Sequence, residues 1–581
     1  MRLEAFAGID NASAAGRVPI GAAERMINFR VDEAGRLVKR PGLVRLVDPP
    51  EGAGGISAMW YGPLGGEKVL LYTRDGRLWR GSPEGESLIG AVGSEPRCIF
   101  SFSGRVYVLG GGYFVYDGQS LQRVAGYVPT VITAADPATG AGALLEEANL
   151  LNSRRRVKYS ADGSARSFKI AEGFSAIEGA QVDGTEAQYT ANPQTGTVTF
   201  GAAPAAGQSN VVITYTAPEG EQDDIIGSMK YASFYGGDND TRVFFWGSGD
   251  EPAKIYNSGM ADGLPSAEYL PASGFRTVGT GEYAVRDVLR DGENQLILTE
   301  KDAWYSFAET RELDGRRITT FPIYPLNPVR GSDFAATARV ADDLPVSLTG
   351  GGMYLWRRTN VRNERSVELI SRRAEEVLGR YAAQGCATAD DERKKELIVA
   401  SGGGCLVWNY GRDVFYEYRF GGAGVTALCA AEGTVYVGRA DGGVLFFDDG
   451  AAGDCAEPFY CLWESRWCDF GAADRNKALL NLWAAVEPRV RVRGEISFRT
   501  DFSEGTKRGR TKEIDVRLSD FSASDFSDFS FSTFLSPAPI RHRAAIPRFC
   551  YLKTLIESRD AQAELRVISL NYEIKGAGRP K

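Results

Sequence analysis

The residues that could carry chemistry are few, and their spacing suits none of the common reactions. There is one histidine, His542, in the Pro- and Arg-rich stretch from Pro537 to Arg548. Metal-assisted hydrolysis and triad catalysis both lean on histidine, and no Gly-x-Ser-x-Gly elbow accompanies this one. Cys455, Cys461 and Cys468 cluster, but their gaps of 6 and 7 do not match zinc-ligand spacing and no Cys-x-x-Cys pair exists. Eight cysteines in 581 residues read as scattered buried thiols in a reducing compartment. Gly110-Gly111-Gly112, Gly350-Gly351-Gly352 and Gly402-Gly403-Gly404 look like phosphate cradles, yet each joins two strands instead of opening a helix. Asp238, Asn239 and Asp240 invite a calcium reading. They lack the loop length and closing Glu of an EF-hand, so a turn before the strand from Val243 to Trp246 is expected. Asp and Glu number 75, enough to supply pairs for carboxylate hydrolysis. The expectation is no catalytic residue, no cofactor and no metal.

Attention therefore moves to the elements that would have to position any site. One hairpin recurs: Val69 to Trp79, Val106 to Tyr116, Val243 to Tyr256, Leu296 to Phe307, Val346 to Trp356, Leu397 to Tyr410 and Val435 to Phe447. In each, an apolar, β-branched or aromatic run meets a turn rich in Asp or Gly, and a second run ends on an aromatic. Such turns need positive φ and are the strongest short-range hairpin signal. The starts step by 37 at first and by 53, 50, 51 and 38 from Val243 onward. The step of 137 between Val106 and Val243 returns to the period once a stretch of about 100 residues is removed. Strand repeats of about 40–50 residues predict propeller blades, each hairpin being the inner pair of its blade with the Gly turn near the axis. A solenoid or a run of sandwiches is the alternative.

The expected fold is thus all-β: a propeller of about seven blades, an inserted small β-sandwich and a C-terminal β-domain. The boundaries fall at 1–55 (an arm with strands closing the propeller), 56–128 (first blades), 129–226 (the insert), 227–454 (remaining blades) and 455–581. Glycine, 69 of 581, is abundant, as dense turns require. In the insert, strands are expected at Arg156 to Ser160, Arg166 to Ile170, Gln188 to Thr190, Gly196 to Phe200 and Asn210 to Tyr215. Ser366 to Tyr381 places Val367, Ile370, Ala374, Val377, Leu378 and Tyr381 on one stripe, predicting a helix capped by Ser366 and carrying Arg372 and Arg373. Further strands are expected at Arg489 to Arg493, Glu495 to Thr500 and Val567 to Ile574. A net charge of −8 and a pI near 5.3 argue against a nucleic-acid-binding surface, though an acidic wall would let DNA slide past without sticking. The first six residues lack a signal-peptide core, and no run of 18 apolar residues predicts a membrane span.

Residues 26–42 read strand, turn, strand and a Pro-Gly corner, a candidate for the outermost strand locking the last blade. Arg30, Lys39 and Arg40 equally suit a solvated basic edge that blunts strand pairing. Asn28, Arg30, Asp32, Gly35, Leu37, Arg40, Pro41 and Gly42 form the pattern Asn-x-Arg-x-Asp-x-x-Gly-x-Leu-x-x-Arg-Pro-Gly. It resembles the opening of bacteriophage virion proteins of the tail-nozzle and head-completion ("phage stabilisation") type. Trp463 to Gly471 followed by Lys477 to Leu482 resembles the return segment after the propeller in that family. Tyr189 to Phe200 with Val211 to Tyr215 resembles sandwich modules inserted into phage structural proteins.

The resemblance implies a structural neck or tail protein of the virion, assembled in the host bacterial cytoplasm as a homo-oligomeric ring, a hexamer. Its implied partners are the portal or adaptor, other tail proteins, and DNA passing without sequence-specific contact. Candidate interface residues are Arg30, Lys39 and Arg40, the run Arg154-Arg155-Arg156, and Phe526, Phe529, Phe531 and Phe534. The Phe run can fold back onto its own domain or be ordered by a neighbouring subunit; Arg154 to Arg156 can be a solvated loop or a docking contact. A host-glycan-binding or glycan-hydrolysing propeller used in adsorption is the competing reading, drawing on 9 Trp and 25 Tyr. It lacks Ser-x-Asp-x-Gly-x-Thr-Trp repeats.

Overall fold

The computed structural model describes residues 1–13, 21–94, 96–218, 226–236, 241–313, 316–358, 365–451, 453–486, 494–501, 538–559 and 566–576. Phe526, Phe529, Phe531 and Phe534, the acidic turn at Asp238 to Asp240 and the strand expected at 489–493 lie outside them. The chain divides into two compact units, one of residues 1–61, 81–86 and 337–581, the other of 62–80 and 87–336.

Every recurring hairpin forms, and five of the seven turn through residues at positive φ. In the first, Asp75 and Gly76 sit at φ 52° and 67°, the left-handed pair that a two-residue turn demands. It joins Glu67–Arg74 to Arg77–Ser82, with Ile56–Leu64 before and Gly85–Ala91 after, as a four-stranded sheet. The same order is repeated by Cys98–Phe102 to Leu121–Arg123, by Tyr231–Tyr235 to Phe275–Thr277, and by Val285–Asp291 to Ile323–Asn327. It recurs in Arg339–Ala341 to Arg365–Leu369 and Ala387–Asp391 to Val414–Arg419. The last blade starts at Val425–Ala431. In all seven the hairpin supplies strands two and three, the middle of the sheet and not the expected inner pair.

In the first of the two units, the last blade has only three strands of its own, Val425–Ala431, Thr434–Arg439 and Val444–Asp448. Its fourth is Gly42–Val47, antiparallel to Val444–Asp448 with Phe447 opposite Leu43. The locking strand therefore lies just after the hairpin expected to provide it. The hairpin's own strands, Phe29–Val31 and Leu37–Lys39, join Arg566–Gly576, Lys477–Val486 and Ala538–Phe549 in a different sheet. Ala22–Ile27 lies between Val414–Arg419 of the sixth blade and Cys461–Ser465, whose sheet continues through Leu552–Ser558 to Glu495–Thr500. Residues from 455 on thus share both sheets with the first 39 residues and do not stand alone.

The expected helix from Ser366 is a second correction. Arg365–Leu369 is a strand, with Val367 opposite Trp356 and Leu369 opposite Tyr354, because an open blade edge offers these residues a ladder. A 3-10 turn, Ser371–Ala374, precedes the α-helix Glu375–Tyr381, which buries Val377, Leu378 and Tyr381. Among the described residues no helix is long and apolar enough to cross a membrane.

In the second unit the insert is a sandwich of a six-stranded and a three-stranded sheet. Val157, Tyr159, Val211, Ile213 and Tyr215 from the larger face Phe168, Val198 and Phe200 from the smaller in one core. Four of its strands, Thr130–Ala135, Ala176–Val182 and the two-residue Ala143–Leu144 and Thr185–Glu186, were not expected. The second is Ala-Ile-Glu-Gly-Ala-Gln-Val, poor in β formers and held by pairing with Gly207–Thr216. Its root is fastened by Asn149, 2% exposed. The Asn149 Nδ2 donates to the carbonyls of Tyr127 (2.8 Å) and Glu268 (3.0 Å), and its Oδ1 accepts from the amides of Leu151 (3.1 Å) and Leu270 (3.0 Å).

Candidate functional site: a latch built on Asn28 and Arg40

The motif singled out in the sequence folds into one buried polar junction within the first unit. Asn28 stands between Ala22–Ile27 and Phe29–Val31 at φ 57°, a left-handed conformation that Asn tolerates better than most residues. All its polar atoms are engaged. The backbone N–H donates to the Glu417 carbonyl (2.8 Å), and the backbone carbonyl accepts from the Arg40 amide (3.0 Å) and the Cys461 thiol (3.4 Å). The Nδ2 donates to the Tyr460 carbonyl (2.7 Å), and the Oδ1 accepts from Arg40 Nε (2.9 Å) and the Arg419 amide (2.7 Å). One side chain thus ties the arm to the sixth blade and to the segment leaving the last one.

Arg40 completes the junction. Its side chain is 0% exposed, and its guanidinium grips Asp454 with Nη1–Oδ1 at 2.8 Å and Nη2–Oδ2 at 2.5 Å. This is the two-pronged arginine–carboxylate geometry that Lys cannot reproduce. The remaining N–H groups reach the carbonyls of Pro41 (2.8 Å) and Arg419 (3.1 Å). The Phe459 ring lies 3.9 Å from the guanidinium carbon, with Phe420 and Tyr418 at 5.8 and 5.9 Å. Asp454 also accepts from the Leu43 amide (3.1 Å), so the ion pair sets the register of the locking strand directly. At Gly42 a Cβ would meet the carbonyl oxygens of Gly453 at 2.3 Å and Ala451 at 2.6 Å, so only glycine fits.

The other motif residues have local duties. Asp32 accepts from the Ala34 and Arg36 amides and from Arg36 Nε (2.7 Å), closing the hairpin turn in which Gly35 adopts φ 79°. Leu37 is fully buried. Arg30 pairs with Asp449 at 3.2 Å and faces a buried group of Glu396, Tyr416 and Tyr418. Burial pulls its guanidinium down, but Tyr418, Glu396 and Asp449 outweigh that and hold it above its ordinary value. Burial pushes the Glu396 carboxyl up, against the Tyr416 hydroxyl that donates to it and the charge of Arg30.

Lys39 and Arg40 are therefore not a solvated basic edge: both are buried, and the Lys39 ammonium lies 4.7 Å from the Phe459 ring. Their neighbours, Phe459 and Asp454, are over 400 positions away in the chain, so no local pattern could reveal them. In the second unit, Arg154-Arg155-Arg156 opens the strand Arg154–Ala161, and all three side chains are half-buried. Arg154 donates to the carbonyls of Ala125 (2.9 Å) and Gly126 (3.2 Å) and pairs with Glu178 at 3.7 Å. The run is strand, not loop. Cys461 is buried beneath Asn28, and burial pushes its thiol up to about 12.

What this arrangement can do is mechanical: it ties residues 28–43 to Arg419 of the sixth blade and to residues 454–461. The repeated four-stranded antiparallel sheets define an all-β protein built of propeller-like blades. No protein-family model and no curated protein matches the sequence. Solved structures do resemble it. The computationally designed Ika8 protein is 12% identical, covering 70% of this chain and 99% of that one, at a TM-score of 0.31. BamB from Moraxella catarrhalis is 11% identical, covering 73% and 96%, also at 0.31. The extracellular domain of BT4673 from B. thetaiotaomicron is 10% identical, covering 83% of this chain and 48% of that one, at 0.36.

Proposed function

We propose that this chain is a structural component of a bacteriophage virion. In this reading it forms a homo-oligomeric ring, a hexamer, in the neck or tail, contacts the portal or adaptor and other tail proteins, and helps retain or conduct DNA. The observation that carries the reading is the motif from Asn28 to Gly42, which resembles the opening of tail-nozzle and head-completion proteins. Its residue types coincide with the polar junction: Asn28 as hub, Arg40 as ion-pair donor, Gly42 as the only residue its site admits. A part under load from packaged DNA benefits from strands that cannot peel from either end, and a saturated buried network rigidifies more than an apolar seam of equal size. The acidic net charge of −8 suits a conduit that lets DNA pass without adhering.

The test is to mix purified protein with portal complexes and image the product by negative stain. A ring, or a capped connector, is expected. Protein that stays monomeric and leaves portal complexes bare would overturn the proposal.

A further inference from the structure

We propose that the outward face of the terminal sheet in the first unit docks on an acidic, leucine-bearing patch of a second copy of this chain. The register fixes what that face presents. Arg2, Asn571, Trp483 and Arg541 lie opposite one another in one row across four strands, and Glu573, Asn481 and Arg543 form the next row. Tyr572, Leu482 and His542, between these rows, turn inward and are buried. Lys575 and Arg548 extend the outward side, and Arg2, Arg541, Arg543, Arg548 and Lys575 are all exposed. Against them the four strands hold a single carboxylate, Glu573. Arg2 pairs with Glu4 at 3.4 Å, whereas Arg541, Arg543 and Lys575 have no ion pair among the described residues. In a chain of net charge −8, such a face attracts a partner of opposite charge.

The face suits a protein better than a nucleic acid. The Arg541 guanidinium lies 5.5 Å from the Trp483 ring and its Nε donates to Asn481 Oδ1 (3.0 Å), so the indole is no open platform for bases. Leu480 beside it is 40% exposed, and Arg with Trp is the mixture that protein contacts favour at their centres. The second unit supplies the complement. The Tyr127 hydroxyl lies 3.0 Å from Asp262 Oδ1 and 3.1 Å from Glu146 Oε2, which brings the tip of the hairpin Gly259–Ala261 and Leu264–Ser266 to the root of the insert. One phenol proton serves two carboxylates there, and Glu147 adds a third. None of the three has an ion pair among the described residues, and Arg276 spends its Nη1 on the carbonyls of Ser273 and Phe275. Leu145 and Leu264, next to these acids in the chain, are 44% and 70% exposed. Charge and apolar surface thus match on both sides. Because the two surfaces differ, each copy offers its face to one neighbour and its patch to another, the heterologous contact from which rings are built. The inference rests on the ring reading above and names its contact.

Sedimentation velocity of the full chain across a dilution series tests this. The wild type is expected to pass beyond dimer at about 0.05 M NaCl and to dissociate at about 0.5 M, where surface charges are screened. Arg541→Glu with Arg543→Glu should weaken association about tenfold or more, and so should Glu147→Lys with Asp262→Asn, because like charges then meet or the attraction is lost. Asn suits the left-handed backbone of Asp262 at φ 48°, and both variants should keep the wild-type circular dichroism. Mixed in equal amounts, the two variants should associate and stop at dimer, since only one intact face and one intact patch remain to meet. A wild type that stays monomeric, a face variant that associates normally, a mixture that stays monomeric, or a face that holds a DNA duplex in place of a second copy would each overturn the proposal. Monomeric protein that still caps portal complexes would overturn this contact and leave the virion reading standing.

Discussion

Replacing Arg40 by Met tests the latch at its most committed residue. The substitution keeps an unbranched apolar stem against Phe459 and removes the guanidinium. Asp454 loses both prongs, at 2.8 and 2.5 Å, and keeps one protein donor, the Leu43 amide at 3.1 Å. The carbonyls of Pro41 and Arg419 lose a donor each, while Asn28 Oδ1 retains the Arg419 amide. Breaking a buried pair by removing one partner costs about 3–5 kcal/mol. Asp454 is 19% exposed and regains some hydration, so the lower end, about 3 kcal/mol, is expected. Native-state hydrogen exchange reads this locally. Protection of the amides of residues 26–31 and 40–47 should fall roughly a hundredfold, since about 1.4 kcal/mol is a factor of ten. Removing both charges (Arg40→Met with Asp454→Leu) should recover much of the loss, because no lone carboxylate remains. Unchanged exchange in the single variant, or a double variant worse than the sum of the singles, would refute the reasoning.

Three further outcomes follow from the same geometry. Asn28→Gly and Asn28→Ala both lose the hub, but Ala also carries the left-handed backbone penalty at φ 57° and should unfold about 1 kcal/mol more easily, measured by urea denaturation. Asn149→Ala leaves the carbonyls of Tyr127 and Glu268 and the amides of Leu151 and Leu270 short of partners, so limited proteolysis should speed up at 127–152 with the blade hairpins still intact. Asp390 is one pH-sensitive group: burial first, then Glu392 and Asp391, push its carboxyl up to about 7 against a hydrogen bond from Tyr410 and the charge of Arg339. Its folded value lies above the unfolded one, so its contribution is full below the ordinary carboxylate range and is lost as pH rises through about 7. The urea midpoint should fall between pH 5 and pH 8 in the wild type and fall less in Asp390→Asn.

The hairpins were legible because their signal is local. An apolar run, an Asp-Gly turn and another apolar run specify strand, positive φ and strand without reference to anything distant, as Asp75 and Gly76 show. The motif at Asn28 to Gly42 was legible as residue types, and its turn at Asp32 and Gly35 was local enough to read. The helix at Ser366 failed because a 3.6-residue stripe and a strand at a blade edge share residues such as Val367, and only the neighbouring strand Gly352–Arg358 decides between them.

Composition and pattern alone thus determined an all-β chain, seven repeating hairpins and an insert that interrupts them. Tertiary structure alone decided where the ends go: that Gly42–Val47 completes the last blade, that residues 2–39 and 461–576 share sheets, and that Arg40 is buried on Asp454. The physical reason is range. Turn sterics and side-chain alternation act over a few residues, whereas strand pairing and the desolvation of an ion pair depend on partners that folding brings from more than 400 positions away.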